Sequence, residues 1–209
     1  MFSLQTIFGK GDKFYGLLEQ SADAARESAT ALHGLVTRTD HAPVMVDFAQ
    51  MRAREKALAA QISEELVNTF VTALDREDIE ALNSALYKIP KTIEKFAERY
   101  VIVGERVAGV DFAQRAQVLE QSATVVAQMI GELRRGLRID PVKKLQDRLQ
   151  ALESEGDRML LAPYQTLYVE GGDAMRAMLA KDLFELIEKA IDKCRDVGNV
   201  VYSIVLKNS

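Results

Sequence analysis

Two pairs of acidic residues have the spacing needed to bind a cation. Glu153 and Asp157 form one pair, and Glu188 and Asp192 form the other. Residues four apart lie on one face of a helix, and carboxylates from two facing helices form an oxygen-rich cation site. No histidine accompanies either pair, which argues against a catalytic zinc site. A single oxygen-liganded metal site is therefore the first hypothesis.

The two pairs are predicted to lie at similar heights on neighbouring antiparallel helices. Glu153 precedes Gly171 by about 18 residues and Glu188 follows it by about 17, so an equal rise per residue brings them level. Asp157 and Asp192 match less well, at about 14 and 21 residues from that turn. Exposed helix faces are often acidic without binding an ion. A solvated acidic face is therefore the alternative that the spacing leaves open.

A row of lysines repeats the spacing of the acidic residues with the opposite charge. The basic row is Lys88, Lys91 and Lys95, and the acidic row 97 positions later is Glu185, Glu188 and Asp192. The apolar positions beside the rows also correspond: Leu86, Ile89 and Ile93 match Leu183, Leu186 and Ala190. This correspondence indicates a duplicated helical unit, in which only the second copy could hold a cation.

The charged rows could also serve as contact surfaces. The lysine row could bind an anion or a partner protein, and Glu185 and Asp196 extend the acidic row as candidate partner contacts. Glu55 is predicted near the centre of an apolar stripe, where a carboxylate needs a partner. A salt bridge to Lys91 or Lys95 is the preferred explanation for its position.

Six helices joined by short turns are predicted to position these rows, because apolar residues recur at steps of three, four and seven without strand-like alternation. The first helix is predicted to begin at Asp12, and the apolar stripe of the second to continue to Phe70. Asp75 and Asp173 are predicted to cap the third and sixth helices. Two helices should be short, and the other four should have about 30 residues each, or about 45 Å.

The six helices divide into two halves. Repeat one covers residues of about 12–107 and repeat two covers about 111–207. Short connections make neighbouring helices antiparallel, so each half forms a three-helix bundle. The predicted fold class is all-α, with residues 1–209 forming one domain from two tandem three-helix repeats packed side by side.

Composition excludes several functional classes. The chain has 209 residues, 28% of them charged, and a net charge of −4, which argues against nucleic-acid binding. It has no run of about 18 apolar residues, so no membrane insertion is predicted. The one cysteine, Cys194, excludes a disulfide framework, fits a reducing compartment and is predicted to lie in the core. The sequence contains no nucleophile elbow, phosphate loop or Cys/His pair, so nothing in it indicates an enzyme.

Three segments resemble the PhoU-like family. They are Leu74-Asp75-Arg76-Glu77-Asp78-Ile79 at the start of the third helix, Leu152-Glu153-Ser154-Glu155-Gly156-Asp157-Arg158 in the fifth, and the ending Val205-Leu206-Lys207-Asn208. Together with two similar three-helix halves, they resemble the group of phosphate transport regulators that accompany Pit-type inorganic phosphate transporters. The resemblance extends over nearly the whole chain and implies a six-helix PhoU-like bundle.

The resemblance also implies a function. It implies a cytoplasmic, non-enzymatic regulator that docks on the cytoplasmic face of an inorganic phosphate transporter or on its signalling partners. Through such a partner it would lie at the inner face of the membrane. It implies a divalent or ferric metal ion at the four acidic residues Glu153, Asp157, Glu188 and Asp192. In the first half, Ala59, Lys91 and Lys95 depart from the acidic pattern, so one metal site is expected rather than two.

Two other classes of function compete with the regulator. A self-associating helical scaffold without metal would form a homo-oligomer by setting the lysine row against the acidic row. A ferritin-like metal oxidase would need Glu-x-x-His pairs facing the bundle interior, and the sequence has none.

Overall fold

Six α-helices make up the described part of the chain, which contains no strand. The computed structural model describes the backbone of residues 4–37, 45–169 and 173–209, and the side chains of residues 12–37, 45–159 and 173–209. The helices are α1 (Leu4–Thr37), α2 (Met45–Asn68), α3 (Arg76–Val103), α4 (Ala113–Arg134), α5 (Ile139–Val169) and α6 (Ala174–Lys207). The all-α prediction is confirmed.

The predicted helix lengths are largely confirmed, with α2 and α4 the shortest at 24 and 22 residues. The prediction that the first helix begins at Asp12 is wrong, because α1 already begins at Leu4. The predicted end of repeat one near residue 107 also lies beyond α3, which ends at Val103 and is followed by hydrogen-bonded turns. Gly171, which was predicted to join α5 and α6, lies outside the described residues.

The helix contacts fall into two similar groups. Within the first half, α1, α2 and α3 all contact one another, and within the second half α4, α5 and α6 do the same. Between the halves, α1 packs on α4 and α3 packs on α6. Helices α1, α3, α4 and α6 therefore form an inner layer, with α2 and α5 on the outside. This is the arrangement expected of two three-helix units packed side by side.

Two glycines allow α5 and α6 to approach each other closely. A Cβ atom at Gly156 would lie 3.1 Å from Ile191 Cδ1, and one at Gly198 would lie 2.5 Å from Leu149 Cδ2. The distance at Gly198 is too short for a Cβ atom unless its neighbours move, and the contact at Gly156 is tight. Because Gly156 lies between Glu153 and Asp157 in sequence, the first crossing brings the acidic part of α5 against α6.

The two predicted aspartate caps differ in the structure. Asp173 caps α6, since its side chain accepts hydrogen bonds from the backbone N–H groups of Met175 at 2.9 Å and Arg176 at 3.3 Å. Asp75 stands at the N-cap position of α3, but its side chain does not bond the helix. It pairs instead with Lys207 at the end of α6, so a tertiary ion pair replaces the predicted local cap.

Most predicted core positions are buried, with one clear exception. Cys194 is fully buried, as predicted. The prediction that Phe70 continues the apolar stripe of α2 is wrong, because α2 ends at Asn68 and Phe70 is 100% exposed. No described helix is both long enough and apolar enough to cross a bilayer.

Candidate cation site between α5 and α6

The structure places the four predicted acidic ligands along the boundary between α5 and α6. Glu153, Glu188 and Asp192 are half-buried, and Asp157 is exposed. Their side chains lie outside the fully buried stripe that includes Leu149 and Ile187. The predicted equal height of Glu153 and Glu188 is wrong. Gly156 lies against Ile191 and Glu153 pairs with Arg195, so Glu153 lies nearer the level of Arg195 than that of Glu188.

The surroundings of Glu188 favour its protonated form. Burial is the largest cause that raises the pKa of Glu188 to about 7, and repulsion by the Asp192 carboxylate, a hydrogen bond with that group and repulsion by Asp157 raise it further. The positive charge of Arg195 acts in the opposite direction. Glu188 therefore holds its proton to a higher pH than an ordinary carboxyl does, which lowers the negative charge of this cluster.

Arg195 neutralises two other members of the cluster. Its Nη1 atom pairs with Glu153 across the helix boundary, and its Nη2 atom lies 3.1 Å from Asp192 Oδ1 and 3.8 Å from Asp196 Oδ1. The sequence-based prediction missed this residue. The available signal was its position three residues after Asp192, which puts both side chains on one face of α6.

Oxygen ligands of this type suit a cation with a preference for carboxylates. In the residues with described side chains, however, no three acidic, histidine or cysteine side chains surround a common point as metal ligands would. The guanidinium of Arg195 supplies the positive charge between Glu153 and Asp192. The donor chemistry therefore fits a hard cation, whereas the arrangement shown is that of an intramolecular ion-pair network.

The outer members of the acidic row are paired along α6. Lys181 Nζ lies 2.8 Å from Glu185 Oε1, and Lys193 Nζ lies 2.7 Å from Asp196 Oδ2. Such exposed pairs contribute little to stability, but they reduce the net negative charge of the face. Both predicted partner contacts, Glu185 and Asp196, thus carry a cation beside them.

The lysine row of the first half is exposed, as its spacing predicts. Lys88, Lys91 and Lys95 all face outward from α3. Lys91 Nζ lies 5.9 Å from the centre of the Tyr87 ring, and the Arg52 guanidinium lies 3.8 Å from the same centre. The position that corresponds to the acidic cluster is therefore cationic.

Glu55 has a partner that differs from the predicted one. It is fully buried, and its Oε1 atom accepts a hydrogen bond of 2.6 Å from Ser21 Oγ on α1. The described ion pairs join it to neither Lys91 nor Lys95, so the predicted salt bridge is wrong. Burial raises the pKa of Glu55 to about 7, although the bond from Ser21 and the charges of Arg52 and Arg54 act in the opposite direction.

Comparison with solved structures identifies the fold. A PhoU-like protein from Shewanella oneidensis MR-1 superposes with a TM-score of 0.75 and 18% sequence identity, over 93% of this chain and 99% of that protein. The chain has the PhoU-like fold. A second PhoU-like structure from the same organism, described as a phosphate regulatory protein, gives a TM-score of 0.73, 18% identity and the same coverage.

Two relatives match this PhoU-like chain at low identity. A protein of Rhizobium meliloti, provisionally named a pit accessory protein, is 22% identical over 217 aligned positions, which cover 97% of this chain and 96% of the relative. The protein YkaA of Bacillus subtilis is 22% identical over 146 positions, covering 70% of this chain and 71% of its own length. No protein-family model matches the chain.

Proposed function

We propose that this PhoU-like protein is a non-enzymatic, cytoplasmic regulator of inorganic phosphate transport that acts by binding a transporter. The observation that carries the proposal is the alignment along nearly the full length of both chains with a relative named for the pit transport system. The PhoU-like fold supports it, since a second protein with this fold is described as a phosphate regulatory protein.

The distribution of charge favours the second three-helix unit as the surface that binds the transporter. The cytoplasmic loops of membrane transporters are rich in lysine and arginine, and complementary charge directs the approach of two partners. Helix α6 carries the acidic residues Glu185, Glu188, Asp192 and Asp196, whereas the corresponding face of α3 carries lysines. The transporter's basic loops would therefore approach the α5–α6 side of the bundle.

A divalent or ferric cation at Glu153, Asp157, Glu188 and Asp192 is the second part of the proposal. The support is the chemistry of the donor set, four carboxylates from two helices that glycine packing holds close together. A bound cation would supply positive charge that ties α5 to α6. Arg195 now provides that charge to Glu153 and Asp192, so cation binding would require its guanidinium to leave these two carboxylates.

The test is a double substitution, Glu188→Ala with Asp192→Ala. The proposal expects the purified variant to lose bound metal, measured by elemental mass spectrometry, and cells that produce it to show altered phosphate uptake. Glu98→Ala with Glu105→Ala is the control, because it removes two exposed acidic residues from the first half. Unchanged metal content and unchanged uptake in the first variant would refute the cation site and its link to transport.

The alternative of a self-associating scaffold has less support. The lysine row is exposed, but the acidic row that it would contact already pairs with Lys181, Lys193 and Arg195. Analytical ultracentrifugation at low and high salt separates the two functions. A homo-oligomer held by opposite charges should dissociate as salt screens them, whereas a monomer at both salt concentrations would exclude this scaffold.

A further inference from the structure

The turn between α2 and α3 presents large apolar side chains to solvent. We call residues 67–75 the Phe70 turn. Phe70 is 100% exposed, Val67 is 82% exposed and Val71 is 54% exposed. Single exposed apolar residues are common, but a group of three at one tip of a bundle is typical of a contact surface.

Hydrogen bonds and packing hold the Phe70 turn in this conformation. Arg76 Nη1 donates to Thr69 O at 2.6 Å, and its other terminal nitrogen donates to Leu66 O. Thr72 Oγ1 donates to Leu74 O at 2.6 Å, and the Leu74 side chain is buried. Thr69 is buried too. The turn thus buries a threonine while it exposes a phenylalanine, and a partner would meet an already ordered apolar surface, which lowers the entropy cost of binding.

The surroundings of the Phe70 turn are acidic. Six carboxylates lie between positions 64 and 80, at Glu64, Glu65, Asp75, Glu77, Asp78 and Glu80. Three cations accompany them: Arg76 bonds backbone carbonyls, Lys13 pairs with Glu65, and Lys207 pairs with Asp75 and Asp78. Residues 64–80 and the cations that pair with them therefore carry a net negative charge, and Glu64 and Glu77 are exposed.

We propose that the Phe70 turn is a docking surface for an apolar segment flanked by lysine or arginine on the cytoplasmic side of the transporter. This inference rests on the proposed function and adds, in the first half, a second contact surface to the α5–α6 side. Phe70, Val67 and Val71 bury against the apolar segment, and the acidic residues around them attract its basic flanks. Basic flanks are common where transmembrane helices reach the cytoplasm.

The acidic charge around the Phe70 turn favours this partner over two others that could cover the turn. The cytoplasmic leaflet of a membrane is anionic and repels acidic protein surfaces. A second copy of the chain in a symmetric contact would set the same acidic residues against each other. An apolar partner with basic flanks complements both the side chains and the charge of the turn.

The opposite end of α3 offers a matched control. Ile102 is 82% exposed near Val101, which is 56% exposed. Arg99 and Arg106 lie close by in sequence and are exposed, along with Glu98 and Glu105. Apolar exposure is similar at the two ends, but this end lacks the acidic excess, so a partner with basic flanks should not prefer it.

The experiment measures binding of the full chain to the organism's own Pit-type transporter in nanodiscs by biolayer interferometry. The variants are Phe70→Ser and Ile102→Ser, with empty anionic nanodiscs as a second analyte. Because Phe70 has no packing contacts to lose, its variant should unfold at the wild-type temperature. The expected result is about a tenfold or larger loss of affinity for Phe70→Ser and an unchanged affinity for Ile102→Ser.

Three results would overturn this docking surface. The first is wild-type affinity in Phe70→Ser, which leaves the proposed function intact because the wild-type protein still binds. The second is equal binding of the wild-type protein to empty anionic nanodiscs. The third is a wild-type dimer that Phe70→Ser dissociates while transporter binding persists. No binding of the wild-type protein to the transporter would instead refute the proposed function itself.

Discussion

Arg195 of α6 forms an ion pair with Glu153 of α5, and it also lies 3.1 Å from Asp192 on its own helix. One guanidinium therefore joins a carboxylate from each of the two helices that carry the candidate cation site. All three side chains are partly shielded from water, so their interaction is stronger than that of a fully exposed pair. The link makes Arg195 the internal counter-ion of this acidic face.

Replacing Arg195 with glutamine should destabilise the protein and make it more responsive to cations. The variant leaves the acidic cluster uncompensated, and we expect a loss of about 1 kcal/mol at low salt. Adding Mn²⁺ should raise the melting temperature of Arg195→Gln more than that of the wild-type protein. Differential scanning fluorimetry with and without Mn²⁺ measures both effects. Arg148→Gln, at an exposed position on α5, is the control, and an equal Mn²⁺ response in all three proteins would contradict the prediction.

Stability should fall as pH rises through the titration range of Glu55. Its pKa is about 7 in the folded protein against an ordinary value of 4.5, so the folded state holds the proton more tightly. The stabilisation that this proton provides is present below pH 4.5 and is lost as pH rises to about 7. The difference corresponds to about 3 kcal/mol.

Glu55→Gln should remove this pH dependence, because the amide stays neutral. Urea unfolding at pH 5, 6, 7 and 8 should therefore show the variant gaining stability relative to the wild-type protein as pH increases. Glu64→Gln, which changes an exposed residue of the same helix, should follow the wild-type profile. A constant difference between Glu55→Gln and the wild-type protein across this range would show that Glu55 does not titrate there.

Ser21→Ala should cost about 1–3 kcal/mol, because it removes the hydroxyl that donates to the buried Glu55 carboxyl. Ser28→Ala tests the specificity of the effect. Ser28 is also buried on α1, but its hydroxyl donates to the Ala24 carbonyl of its own helix, which the helical backbone pattern already supplies with an N–H donor. Chemical denaturation at pH 7 should thus rank Ser21→Ala well below Ser28→Ala in stability. Equal losses would mean that the bond to Glu55 contributes nothing specific.

Two glycine-to-alanine substitutions should have opposite effects. At Gly198 a new Cβ would meet Leu149 and Gln146 at 2.5 and 2.6 Å, so the variant should lose about 1–3 kcal/mol. At Gly131, inside α4, the new Cβ would meet no neighbouring side chain or other element within 4 Å among the described residues. The higher helix propensity of alanine should therefore add about 0.5–1 kcal/mol. Thermal unfolding of both variants checks the signs, and destabilisation by Gly131→Ala would contradict the argument.

The spacing of apolar residues predicted those features of the fold that depend on local sequence. The apolar repeat predicted six helices because a helix buries one face whatever its neighbours are. The same geometry predicted Glu153 and Glu188 at equal height, because it assumed equal rise from a turn near Gly171. The glycine crossings set a different register, in which Gly156 meets Ile191 and Glu153 pairs with Arg195. Burial of Cys194 followed from its place on the apolar stripe of α6.

The features that the sequence did not predict all depend on contacts with residues of another helix. Ser21 lies 34 positions before Glu55 and on another helix, so no local pattern connects them. Phe70 continues the spacing of α2, but the hydrogen bonds of Arg76 to the end of that helix fix a turn there instead. Arg195 reaches Glu153 across 42 positions. In each case a long or polar side chain fixes the local structure or the ion pair through a contact with another helix.

The layered arrangement of the bundle has a consequence for its motions. Among the described residues, α2 contacts only α1 and α3, and α5 contacts only α4 and α6. Each outer helix can therefore detach while the four inner helices remain together, and such partial opening needs less free energy than complete unfolding. Backbone amides in α2 and α5 should exchange with deuterium before those of the inner layer. The faces that carry Glu55 and Glu153 would then open to water from a state in which most of the core is still folded.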